Sequence, residues 1–321
     1  MVDILEVNDL SIVYRVENKL VRALDQVSFA VSSGGTLGIV GESGSGKTTL
    51  GMGIMNYIES PGKITSGQVQ FLGKEVLSMT EEQLRKYRWE EVSMIYQSAM
   101  NSLNPVKTVS HPIVEVLRSH KKLSKKEALE TTLKMLSELG IKPERAFDYP
   151  HEMSGGMRQR IVIALALALS PKLLIADEPT SALDVVTQKQ IIDLIKEQIN
   201  QRGLSLIFIT HEIALLNNLV EEIAVMYSGE IVEIGPLKDV ILGPLHPYTE
   251  MLLSTILSMD SPLKDISDYS KNTATEKVFL VQDNACRYAG RCKYAFDRCS
   301  RERPRLRKVD NERLVACHKY N

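Results

Sequence analysis

Eight consecutive residues constrain this chain more than any others: Gly41-Glu42-Ser43-Gly44-Ser45-Gly46-Lys47-Thr48, a match to Gly-x4-Gly-Lys-[Ser/Thr]. The motif gains meaning from its flanks, a compact apolar strand pattern over residues 36–40 and a helical pattern over 47–55. Glycines let the backbone wrap closely round an anion, so that successive N–H groups and the start of the helix point at phosphates. In this pattern Lys47 bridges the outer two phosphates, Thr48 offers a hydroxyl to magnesium, and Thr49 lies within reach of the α-phosphate.

The remaining composition narrows the setting. At 321 residues the chain suits one large domain with an appendage or two modest ones, and its 44% hydrophobic and 25% charged residues are those of a globular protein. Its 39 basic and 40 acidic residues leave a net charge of −1, without the basic excess that nucleic-acid binding requires. The longest apolar run, residues 161–169, is far short of the ~20 residues that span a bilayer. The start, Met-Val-Asp-Ile-Leu-Glu, has no secretory pattern, so the protein is expected to stay in the cytoplasm.

Strand patterns over 4–14, 23–31 and 68–72, punctuated by Gly34-Gly35, Pro61-Gly62 and Gly73, predict an antiparallel opening. Helical patterns over 107–120 and 124–139 read as an insertion. A helix at 156–169, a strand at 173–176, a helix at 186–201, a strand at 204–210 and a helix from 212 then alternate, which predicts a parallel sheet covered by helices. Strands at 222–227 and 230–234 close this region, and polar residues 259–278 read as a linker to a separate C-terminal piece.

Two further segments suit nucleotide chemistry. The apolar strand Leu173-Leu174-Ile175-Ala176 runs into Asp177 and Glu178, placing a carboxylate for magnesium and a second one, on the opposite side of the strand, to polarise a water at the γ-phosphate. Ser154-Gly155-Gly156 opens a helix, where a serine cap and two glycines make an anion site. Cys286, Cys292, Cys299 and Cys317 are separated by five, six and seventeen residues, unlike the Cys-x2-Cys pairs of ordinary zinc sites. Four thiolates suit an iron-sulfur cluster or zinc, with free thiols the remaining reading. Eleven Lys/Arg against four acids over 286–321 are expected to lower the thiolate pKa values.

Taken in order over residues 1–255, these motifs closely resemble the ATP-binding subunits of ABC transporters. The resemblance implies an α/β fold: a P-loop NTPase core with a mainly parallel sheet, an N-terminal antiparallel β subdomain, a helical insertion over roughly 98–156, and a small cysteine-containing extension over 259–321. It also implies that Gln97 binds magnesium and the γ-phosphate, that His211 is the switch histidine, and that Tyr14 stacks on adenine. Ser154, Gly155 and Gly156 would complete the ATP site of a second ATPase subunit. Ser181-Ala182-Leu183-Asp184 fills a further family motif, whereas Met153 and Met157 stand where many members carry Leu and Gln. The run Ser-Gly-Gly-Met-Arg-Gln-Arg, Gly235-Pro236, His246-Pro247-Tyr248-Thr249 and the cysteine tail are similar to those of dipeptide and oligopeptide importers. Some of those bind a 4Fe-4S cluster through four such cysteines. The implied partners are a second, non-identical ATPase subunit, two transmembrane permease subunits and, indirectly, an extracytoplasmic substrate-binding protein, with this chain peripheral at the cytoplasmic face of the membrane. Nickel or oligosaccharide cargo, or a soluble ABC ATPase with no transporter, are the rival implications.

Overall fold

The structure is a computed structural model that describes residues 2–17, 19–257, 284–310 and 312–320. Its strands are β1 (Asp3–Val16), β2 (Lys19–Ser32), β3 (Thr36–Val40), β4 (Gly62–Phe71), β5 (Lys74–Glu75), β6 (Val92–Ile95), β7 (Leu173–Asp177), β8 (Ser205–Thr210), β9 (Glu222–Tyr227), β10 (Glu230–Pro236), β11 (Arg307–Lys308) and β12 (Leu314–Val315). Its helices are α1 (Lys47–Ile54), α2 (Glu81–Lys86), α3 (His111–Lys121), α4 (Lys125–Glu138), α5 (Gly155–Leu167), α6 (Val185–Arg202), α7 (Leu237–Leu242) and α8 (Pro247–Leu257). The residues divide into two compact units.

One unit takes in Met1–Val2, Ser32–Gly35 and Ser78–Ile209. Here β6, β7 and β8 pair in parallel, with Ile95 opposite Ala176 and Ile175 opposite Ile207. Every residue of these three strands is buried, as the apolar runs required of a parallel sheet covered on both faces. The charged N-termini of α4 and α6 are closed by side chains: Ser124 accepts from the N–H of Glu127 in a capping box, and Asp184 accepts from the N–H of Thr187.

The other unit takes in Asp3–Val31, Thr36–Leu77 and Thr210–Asn321. One sheet runs β2-β1-β4-β5, with β1 antiparallel to β4. In a second group β3 lies parallel to β9, β9 antiparallel to β10, β10 to β12 and β12 to β11. The antiparallel opening is as the sequence predicts, but β4 starts at Gly62, well before residue 68. Gly67 lies inside β4 opposite the bulge that Asp9 and Leu10 make in β1; at φ 100° a Cβ there would meet Leu10 Cα at 2.5 Å. The helix expected from 212 is a correction: only the turn Ile213–Leu216 forms, because the backbone leaves the helical region at Asn217, with ψ 125°, and turns left-handed at Asn218, with φ 63°. Residues 259–278 lie outside the described residues. The described C-terminal residues extend the sheet, with Leu314 opposite Ile234.

A buried charge network holds this extension in its unit. Asp25, 2% exposed, faces Arg22 at 2.5 Å, Arg287 at 2.5 Å and Arg303 at 2.7 Å. Glu230 lies 2.8 Å from Arg287 and from Arg303. Burial alone would raise the Asp25 carboxyl, but the hydrogen bond from Arg22 and the charges of Arg303 and Arg287 outweigh it and hold the carboxyl below its ordinary range. At Glu230 burial wins and pushes the carboxyl up to about 7. Arg287→Met would leave two buried carboxylates short of a partner and is expected to cost about 3–5 kcal/mol in urea unfolding. A variant as stable as the wild type would show that the network contributes nothing.

Candidate functional site

In the second unit, β3 delivers the chain into residues 41–48 and α1 takes it away. Gly46, which precedes α1, holds φ 102°, and a Cβ there would meet Ala23 O at 2.5 Å, so only glycine fits. No side chain caps the first turn of α1, so its N–H groups remain available to an anion. Lys47 is buried and its Nζ donates to Gly41 O at 2.7 Å and Glu42 O at 2.9 Å. Ser45 is buried as well, and its Oγ has no hydrogen-bond partner. Thr48 and Thr49 are half-buried in the first turn of α1, while Ser43 and Gly44 are exposed. Tyr14 sits in β1 opposite Gly62, with its ring edge close against that glycine. His211 follows β8, is 55% exposed, and lies 3.8 Å from the Glu212 carboxylate.

In the first unit, Asp177 ends β7 and is 1% exposed. Glu178 turns left-handed at φ 45°, and its N–H donates to Ile209 O at 2.9 Å. Gln97 Nε2 donates to Glu178 Oε2 at 2.9 Å, so the structure brings together two residues that lie 81 apart in sequence. Ser154 caps α5, its Oγ accepting from the Met157 N–H at 3.3 Å. Gly155 and Gly156 are helical, and their smallness serves packing: a Cβ on Gly156 would meet Thr187 Cγ2 at 2.7 Å, and one on Gly155 would meet Leu183 at 3.3 Å.

All four cysteines line one cavity of about 210 Å³, together with His246, Tyr288, Phe296 and His318. Their acidity corrects the expectation from the basic tail. Burial pushes the Cys286 thiol up to about 12, and raises those of Cys292 and Cys317. Most of the tail's arginines are engaged elsewhere: Arg287 and Arg303 with Asp25 and Glu230, Arg291 with Glu42, Arg298 with Glu302, Arg313 with Asp310. Among the described residues no three ligating groups converge closely enough to hold a metal ion, so neither the expected cluster nor the zinc alternative finds a preformed site.

Sequence reasoning missed the residues that grip Glu42. Its N–H donates to Tyr248 Oη at 2.9 Å, and its two carboxylate oxygens accept from Arg291 at 2.8 and 2.9 Å. The only signal was Tyr248 within the His246-Pro247-Tyr248-Thr249 run, which nothing local ties to a loop 206 residues away.

A glycine loop opening a helix, and a strand that ends in two acids, are the equipment of a nucleotide-handling α/β protein. Comparison with known proteins makes this specific. The ABC transporter family model matches residues 24–181, and a model of the oligopeptide/dipeptide transporter C-terminal region matches 232–299. The chain is similar to the oligopeptide transport ATP-binding protein AppD of Bacillus subtilis, 40% identical over all of this chain and 98% of that one. It is also similar to the dipeptide transport ATP-binding protein DppD of Caldanaerobacter subterraneus, 39% identical over 99% of this chain and 97% of that one. Among solved structures it is similar to the dimeric post-hydrolysis state of the ATP-binding cassette MJ0796 bound to ADP and Pi, with TM-score 0.63 and 27% identity over 73% of this chain and 98% of that one. This chain belongs to the ABC transporter ATP-binding family, in the branch that carries the oligopeptide/dipeptide transporter C-terminal region.

His246, 2% exposed, accepts at Nδ1 from the Tyr248 N–H and is held neutral by burial, its pKa pushed down to about 4. The folded chain therefore binds fewer protons here than the unfolded chain as pH falls from about 6.5 to about 4. Compared with His246→Asn, which keeps an acceptor but does not titrate, the wild type should lose about 3 kcal/mol of stability across that window and none above it. Denaturant titrations at a series of pH values measure the difference.

Proposed function

We propose that this chain is the ATP-hydrolysing subunit of an ABC importer for dipeptides or oligopeptides, bound at the cytoplasmic face of the membrane to two permease subunits and a second, non-identical ATPase subunit. The observation that carries the reading is that one chain joins the phosphate loop to the oligopeptide/dipeptide-type C-terminal region along the full length of its relatives. Among the described residues no helix is long and apolar enough to cross a membrane, so this chain relies on other subunits for the path itself. Residues 1–258 form the ATP-binding domain, with 98–156 its helical subdomain, and 259–321 the extension.

Residues 41–49 cradle the phosphates of ATP, Lys47 gives up its loop carbonyls for the outer phosphates, and Tyr14 stacks on adenine. Thr48, Gln97 and Asp177 present oxygen donors that suit magnesium, which when bound neutralises phosphate charge. Glu178 takes the proton of the attacking water, held ready by the hydrogen bond from Gln97, and His211 steadies the γ-phosphate. Ser154, Gly155 and Gly156 act on the nucleotide of the partner ATPase subunit, so closure of a head-to-tail dimer completes two sites and drives the permease.

Cys286, Cys292, Cys299 and Cys317 hold a 4Fe-4S cluster in this reading, which is supported by the single cavity that all four of them line. The raised thiol pKa values mean that binding must release protons, which makes loading favourable at higher pH. Anaerobically purified protein is expected to show broad visible absorbance and about four irons and four sulfides per chain. Zinc or no metal would remove the cluster.

Glu178→Gln is expected to keep MgATP binding while slowing hydrolysis at least about 100-fold. Wild-type turnover would remove Glu178 from the role of base. With the permease subunits in vesicles, hydrolysis should be coupled to uptake of short peptides; uptake of nickel or an oligosaccharide instead would reassign the cargo.

A further inference from the structure

Glu42 is held in the phosphate loop through its backbone and its side chain. Its carbonyl accepts from Lys47 Nζ at 2.9 Å, its N–H donates to Tyr248 Oη at 2.9 Å, and both carboxylate oxygens accept from the Arg291 guanidinium. Only the first of these contacts is local. Tyr248 belongs to α8 and is fully buried, and Arg291 ends the short turn Ala289–Arg291 immediately before Cys292. The guanidinium is itself held, lying over the rings of Tyr227 at 5.8 Å and Tyr288 at 5.9 Å. Those rings pack on each other at 5.2 Å and on Tyr248 at 4.7 and 5.5 Å. Tyr288 also lines the cysteine cavity.

We propose that Arg291 is a positioning residue for nucleotide binding: its two-pronged bond to Glu42 fixes the start of the phosphate loop and neutralises a carboxylate that would otherwise repel the phosphates. A phosphate cradle works through the direction of its backbone N–H groups, so a contact that sets the peptides on either side of Glu42 sets the cradle. A guanidinium fork pairs with a carboxylate in one plane, which a point-charge ammonium cannot reproduce. The tyrosines, packed edge to face, restrict the fork before nucleotide arrives, so little ordering is left for binding to supply. Through Arg291 the cysteine-bearing extension becomes part of the nucleotide site without touching nucleotide.

The inference rests on the reading of residues 41–48 as the ATP loop, and a control separates the two. MgATP affinity is measured on the full chain for the wild type, Lys47→Ala, Arg291→Met, Glu42→Gln and the double variant Glu42→Gln/Arg291→Met. If Lys47→Ala binds as tightly as the wild type, the loop reading fails and this inference with it. If Lys47→Ala weakens binding, Arg291→Met is expected to weaken it about five- to tenfold. The double variant should then bind no more weakly than Arg291→Met alone, because both changes break one contact and the second also removes the repelling charge. In the assembled transporter the loss should appear in KM for ATP with kcat little changed. Wild-type affinity in Arg291→Met, or losses that multiply in the double variant, would overturn the proposal. Should Arg291→Met lower the unfolding midpoint, Arg291→Lys keeps the stem and charge without the fork: an intermediate loss of affinity upholds the positioning role, and wild-type affinity overturns it.

Discussion

Behind the phosphate loop lies a knot of backbone and buried charge on which its shape depends. The Gly229 N–H donates to Ser45 O, the Asp25 N–H donates to Gly229 O, and Gly46 lies so close to Ala23 O that no side chain fits. Arg287, hydrogen-bonded to Ser228 O, closes the knot by meeting the Asp25 carboxylate. Desolvating such charges costs about as much as their attraction returns, so the network's contribution is to specify one arrangement more than to add net stability. What it specifies is the register of β2 and of the β9–β10 turn against the loop.

The signature glycines carry a related lesson. Two glycines at the start of α5 suggest conformational freedom, yet both are ordinary helical residues. They are small because Leu183 and Thr187, around the start of α6, come within contact of where a side chain would be. Asp184 caps α6 and is held below its ordinary range by hydrogen bonds from Thr187, which fixes the surface those glycines meet. Ser154 meanwhile spends its hydroxyl on the Met157 N–H.

Much of this was legible in the sequence because it is local. Strand, glycine loop and helix at 36–55, the alternation from 155 to 210, and the acids that end β7 all follow from short-range pattern, and they stand where expected. What sequence did not show depends on separation. The bonds of Arg287 to Asp25 and of Arg291 to Glu42 span 262 and 249 residues, and no periodicity encodes them. The cysteine thiols were misread for a cognate reason: eleven basic residues suggest a positive field, but most of them sit in ion pairs with carboxylates, and at Cys286 desolvation outweighs the rest. The missing helix after 212 shows the limit of apolar count as a guide, since two asparagines that leave the helical region outweigh it.

The two units differ in how they use the chain. Nearly all of one is a single stretch, Ser78–Ile209, while the other is gathered from three stretches that reach the last residues. On the ribosome the first unit is almost wholly made by residue 209. The phosphate loop emerges about two hundred residues or more before Tyr248, Arg287 and Arg291. The nucleotide cradle is thus begun well before it can be finished, and a chain released before residue 291 carries the whole motif at 41–48 without the Arg291 fork that holds the Glu42 carboxylate.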